Sequence, residues 1–312
     1  GITTLLALSV ACVCYYRRAE VPSKAYVRRL FQSADRSFRR INKRCGSVNI
    51  VREKESLPTD APVTWRELER RNLGQFRYKI RMLLPIQCAI AVVVLVALSS
   101  GQMPVAHDIL RVSNYLVWAL AIGYLAVQGA NAIVSERVNQ ALDVLLTTPM
   151  SGADIVRQKA SALAHLKWLV LIPVMTIPLV NGFLAMKLGS SEPFFITYAV
   201  THLITALIYL PIAYWLGLRV GMSALNRISA IMRVLLLIVL WNLCTFPLVW
   251  VAVRMDVPVI ATLCPAYAIA FIESGGTVGH PGFFIPFAVL YVGILVVIRT
   301  LTLVRSNKTL GP

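Results

Sequence analysis

Apolar residues in this chain gather in runs far longer than a soluble core requires, and the polar residues mark the gaps between them. A hydrocarbon layer of about 30 Å takes roughly 20 apolar residues of helix to cross. Runs of that length at 82–101, 112–134, 160–186, 194–218, 229–253 and 281–304 predict six spans. A shorter apolar run, residues 1–16, reads as the end of a preceding span, so the natural polypeptide is expected to begin earlier. Residues 17–63 follow as a basic linker. Within it, apolar and basic positions over 24–44 alternate at helical spacing, which suits either a helix on lipid headgroups or a solvated connection.

Three shorter patterns lie outside the spans. In residues 64–81, Trp65, Leu68, Leu73, Phe76 and Ile80 share one helical face, and Thr64 with Glu67 fits a capping box just after Pro62. An interfacial amphipathic helix is expected there, with Trp65, Leu68 and Phe76 as its anchors. In residues 135–148, Val138, Ala141, Leu142, Leu145 and Leu146 fall on one side and Glu136, Asn139, Gln140 and Asp143 on the other. Pro149 disfavours helical geometry in the residue before it, so this helix should stop near Thr148. Ser151 with Asp154 then marks a new helix at about Gly152. Residues 257–275 are too apolar for a plain loop and too short to cross twice, which predicts a re-entrant excursion.

Composition agrees with an all-α polytopic membrane protein: 57% of residues are apolar and only 14% charged. The net charge of +17 changes the picture through its placement, since residues 17–81 hold 18 of the 31 Lys and Arg. Beyond each later span the basic residues number alternately few and many: Arg111; Arg137, Arg157, Lys159 and Lys167; Lys187; Arg219, Arg227 and Arg233; Arg254; Arg299, Arg305 and Lys308. Basic residues near span ends stay cytoplasmic. Residues 17–81, residues 135–159, the 219–233 loop and the tail 306–312 are therefore expected on the cytoplasmic side of the cytoplasmic (inner) membrane. The charge reads as a topology signal and an attraction to the lipid bilayer, worth about 1 kcal/mol per basic residue near the surface. Nucleic acid is not an expected partner.

Candidate chemistry is sparse. There is no GxxxxGK phosphate loop, no HExxH and no paired CxxC, so neither a nucleotide site nor a metal site is expected on this chain. The six cysteines lie mostly in or beside spans, and disulfides are not expected. Away from the span ends no Asp, Glu or Lys must sit near mid-membrane, and the polar residues there reduce to Gln87, Gln128, Asn131, His202, Asn242 and some hydroxyls. Ion-coupled transporters normally carry an intramembrane carboxylate, which argues against that class. His202 reads as a packing residue rather than a relay or substrate contact, and Asn131 and Asn242 as links between helices.

The order E-R-x-x-x-x-L-x-x-L-L-x-x-P, here Glu136, Arg137, Leu142, Leu145, Leu146 and Pro149, resembles the coupling-helix segment of ABC-2-type exporter permeases. It departs at Val138 and Gln140, where the family usually has a second acidic residue and a glycine. The phrase APVTWREL resembles the family's elbow helix, and Pro265 with Tyr267 its outer half-helices. The resemblance covers residues 62–305 and implies a six-span permease domain over 82–305, belonging to the C-terminal part of a longer permease. It implies that Glu136, Arg137, Leu142, Leu145, Leu146, Thr147 and Pro149 dock on a separate ABC ATPase subunit that binds ATP and Mg. A second permease half, from a homodimer or a fused N-terminal half, would complete the pathway. Two other classes stay open: a non-transporting membrane scaffold and a lipid-modifying membrane enzyme.

Overall fold

The computed structural model describes residues 61–70, 76–138, 150–187, 192–254, 263–274 and 284–310. All lie in the second of the chain's two units, Ser56–Pro312. Residues 1–60, and with them the expected preceding span and most of the basic linker, lie outside the described residues.

Eight helices account for nearly all of what is described: α1 (Pro62–Arg70), α2 (Phe76–Ser99), α3 (Met103–Val138), α4 (Gly152–Lys187), α5 (Glu192–Ser223), α6 (Arg227–Arg254), α7 (Pro265–Glu273) and α8 (Phe284–Leu310). Six of them, α2 to α6 and α8, are long and apolar enough to cross a membrane, and no strand occurs among the described residues. The chain is an all-α, multi-pass membrane protein. Prolines 85, 173, 178, 211 and 247 sit inside these helices. Transmembrane helices tolerate such residues because neighbouring groups re-satisfy the freed carbonyls.

The long helices alternate in direction. The C-terminus of α3 meets the N-terminus of α4 and the C-terminus of α5 near α1, while their other ends gather around α7. Those short helices mark the two ends of the bundle.

At the centre, α5 is buried over 56% of its spanning window, whereas α6 is buried over 6% and shows Leu236, Leu243 and Phe246 outward. In water such surfaces would mark an interface; on an apolar spanning helix they suit lipid. The tightest packing joins α3 to α5, through Ala126, Gly129 and Ala130 on one helix and Gly217 and Gly221 on the other. A Cβ at Gly217 would stand 2.1 Å from the Ala126 carbonyl oxygen, and one at Gly221 would stand 2.5 Å from that of Ala130. Only a missing side chain permits this approach, the small-residue seam by which spanning helices gain dispersion contacts in lipid. Beside it Trp118, Tyr209, Phe287 and Tyr291 tie α3, α5 and α8 together edge-on or tilted.

Two boundaries refine the expectations. Helix α4 begins at Gly152 as the spacing predicts, with Ser151 Oγ accepting from Asp154 N at 3.2 Å and donating to its carboxylate at 2.6 Å. The amphipathic helix does not start on a Thr64–Glu67 capping box. Helix α1 begins at Pro62, and both residues turn inward onto α4, because buried partners there outcompete the local cap.

Candidate functional site

Charged side chains collect where α1, α3 and α4 meet. Lys159 Nζ lies 3.1 Å from Glu67 Oε1, 3.0 Å from Glu136 Oε1 and 3.0 Å from the Ala132 carbonyl oxygen. Arg66 also donates to Glu136. Lys159 and Glu136 are 2% and 1% exposed, so each charge depends on the others for compensation. Two neutral bonds lock α1 to α4 beside them: Val63 N to Gln158 Oε1 and Thr64 Oγ1 to the Gln158 carbonyl, both at 2.9 Å. Arg137 reaches the other way. Its guanidinium donates to the carbonyls of Ala224 at 2.8 Å and Met222 at 3.0 Å, satisfying acceptors left over where α5 ends.

The structure thus places the first two residues of the coupling pattern, and it changes the environment of one. Helical spacing puts Glu136 on the wet side; in the bundle it is buried, because α1 and α4 bring two cations to it. Leu142, Leu145, Leu146, Thr147 and Pro149 lie outside the described residues, as does most of the expected helix 135–148. Among the expected anchors, Trp65 is exposed, Leu68 packs on the main core, and Phe76 opens α2.

A second cluster occupies the α7 end. Pro265 starts this nine-residue helix, its first free N–H, that of Ala266, donates to Asn242 Oδ1 at 3.0 Å, and Ala268, Ile269 and Ile272 pack into the core. Glu273, its last residue, is 2% exposed. Asn114 Nδ2 donates to Glu273 Oε2 and Asn181 Nδ2 to Oε1, each at 2.7 Å, while His202 Nε2 stands 3.2 Å from Oε2. Burial alone would push the Glu273 carboxyl up. The facing His202, then the Tyr198 hydroxyl and the Asn181 amide, outweigh it and hold the group below the ordinary carboxylate range. Here the chain-order view is corrected: away from the Lys159 cluster, a further buried acid stands among the spans, carried in by a helix that is not itself a span.

Both clusters sit at a membrane-thickness separation. Asn114 and Glu136 are 22 residues apart on α3, and Asn181 and Lys159 are 22 apart on α4. At 1.5 Å per residue each interval is about 33 Å, close to a hydrocarbon layer. A separation of that length is what flanking an apolar slab requires, and charge is least costly to bury at its two edges. An apolar cleft of about 590 Å³ runs beside the second cluster, between Tyr115 and Trp118 of α3, Leu235 and Ile238 of α6, and Pro265 and Ile269 of α7.

No protein-family model matches this chain, and no curated protein does. What the residues can do must be read from the residues. Among the described residues no group of His, Cys, Asp and Glu is placed to hold a metal ion. Sequence reasoning missed Lys159, Glu67, Asn114, Asn181 and Glu273. A signal existed for one of them: Glu273 is the last of 14 acidic residues, set in an apolar run. The asparagines gave no signal, since their partner arrives from 92 or 159 positions away.

Proposed function

We propose that this chain is the membrane-spanning permease subunit of an ATP-driven exporter of the ABC-2 type. A separate ATPase, carrying ATP and Mg, would dock on residues 135–149 from the cytoplasmic side of the inner membrane. A second copy or a fused N-terminal half would complete the translocation path. The observation that carries this reading is the attachment of the motif's first two residues. Glu136 is held by Lys159 of α4 and Arg66 of α1, and Arg137 by the end of α5. A load applied just beyond Val138 enters four helices at once, as a coupling element requires, whereas a scaffold has no use for such a junction. The short α1 ahead of the first span and the short α7 between the fifth and sixth support the same order.

The test is co-purification from native membranes. ATPase activity is expected to accompany the wild-type chain and to be lost with Leu145→Asp or Leu146→Asp while helix content stays unchanged. Purified chain with no associated ATPase, or association indifferent to both substitutions, would sink the proposal.

A further inference from the structure

Glu273 stands apart from every other acid in the described bundle. It sits on a helix of nine residues, about 13 Å long and unable to cross the slab, yet its carboxylate is packed among side chains from three spans. Among the described residues, the groups facing it are few. Helix α3 offers Asn114, Tyr115 and Arg111, α4 offers Asn181, and α5 offers Tyr198 and His202. Helix α6 turns only the neutral Asn242 toward α7. Arg111 stands 3.8 Å from Asp108 on its own helix. Of all these, His202 alone both touches the carboxylate and belongs to the residue type that gains and loses a proton near neutrality.

We infer that Glu273 and His202 form a proton-binding site, and that its occupancy holds α7 in place. With the proton on His202, an imidazolium faces a carboxylate and the pair is neutral overall. When that proton passes to water at the α7 end, the carboxylate keeps its charge with only neutral groups in contact, the Asn114 and Asn181 amides and the nearby Tyr198 hydroxyl, and a buried charge without a counter-charge in contact is costly. The cheapest relief is for Glu273 to leave, taking α7 with it. Among the described residues, what else resists is the cap from Asn242, which also meets Cys264 Sγ at 3.9 Å, the packing of Ala268, Ile269 and Ile272 in the core and of Cys264 and Tyr267 against Val249, and the Tyr291 hydroxyl bond to the Leu263 carbonyl at 3.0 Å. The cluster is also not saturated as a purely structural pair would be. Among the described residues, Asn114 Oδ1, Asn181 Oδ1 and both ring nitrogens of His202 are buried without a hydrogen-bond partner, Nε2 despite its 3.2 Å approach to Glu273, which leaves room for a changing proton count. Because α7 forms one wall of the apolar cleft, the proton would set whether that wall is closed. This inference is independent of the exporter reading.

Cys264, 2% exposed at the start of α7, reports the helix's position. In the full chain with Cys12, Cys14, Cys45, Cys88 and Cys244 changed to Ala, maleimide labelling of Cys264 is followed in vesicles over about pH 5 to 8, where imidazole titrates. The thiolate fraction itself rises with pH. Each rate is therefore divided by that of Glu273→Gln, a variant whose neutral amide keeps α7 seated because Asn114 can turn its free Oδ1 toward it. The ratio for the otherwise unchanged chain is expected to rise at least about tenfold from low to high pH, one decade being about 1.4 kcal/mol. His202→Gln should label fast at every pH. The double variant Glu273→Gln with His202→Gln should again be slow and flat, which separates lost charge balance from failure to fold. A flat ratio, or a His202→Gln chain that follows the original pH dependence, would overturn the proposal. So would a double variant as reactive as His202→Gln.

Discussion

The closest helix pair can be tested with two substitutions that are identical on paper. Alanine is a better helix former than glycine by about 1 kcal/mol, so propensity alone says that Gly217→Ala and Gly293→Ala should both stabilise. Packing says otherwise. A Cβ at Gly293 meets nothing within 4 Å, whereas one at Gly217 stands 2.1 Å from the Ala126 carbonyl oxygen and 2.8 Å from the Ala130 nitrogen. Ordinary contact begins near 3.4 Å, so α3 and α5 must separate by about an ångström. The obstacle is backbone, which no rotamer change can move aside. That separation also loosens Gly129 against Tyr214 and Gly221 against Ala130, since all lie along one seam. Overpacking of this kind costs about 1–3 kcal/mol. At roughly 2–4 °C per kcal/mol for a chain of this size, thermal unfolding in detergent should fall by several degrees for Gly217→Ala. Gly293→Ala should match or exceed the wild type. Equal melting of the two variants would refute the backbone-contact account.

Other outcomes follow from the two clusters. Lys159→Met should lower stability by about 3–5 kcal/mol, because Glu67 and Glu136 are left buried without their shared cation. Adding Glu67→Leu should recover part of that loss, a non-additivity that a double-mutant cycle measures directly. Asn242→Ala removes the acceptor for Ala266 N and should raise Cys264 labelling several-fold, in line with about 1 kcal/mol for a helix cap. On the acid side the sign is fixed by the lowered carboxyl of Glu273. Its contribution is present above the unfolded value of 4.5 and is lost as pH falls through the lower folded value. On that acid limb the melting difference between wild type and Glu273→Gln should therefore shrink below about pH 4, near the free carboxylate value; a difference already gone at about pH 5, the acid end of the labelling range, would contradict the described contacts.

The spans were legible in the sequence because crossing a hydrocarbon slab imposes a length and a composition that local residues must satisfy by themselves. The six apolar runs return as α2 to α6 and α8, and the Ser151–Asp154 signal marks the start of α4. The seam between α3 and α5 was half visible, as glycines four apart at 217 and 221, though nothing local said which helix they would meet. The charge partners were not visible at all. Lys159 finds Glu67 from 92 positions away, and Glu273 finds Asn114 from 159. Periodicity reports which face of a helix is apolar, and it put Glu136 outside; burial of a charge depends on what other helices bring to it. The chain alone therefore determined that this protein lives in a membrane and roughly where it crosses. Only the tertiary structure decided which polar groups are buried, because compensation of a charge belongs to the assembled bundle and to no single segment.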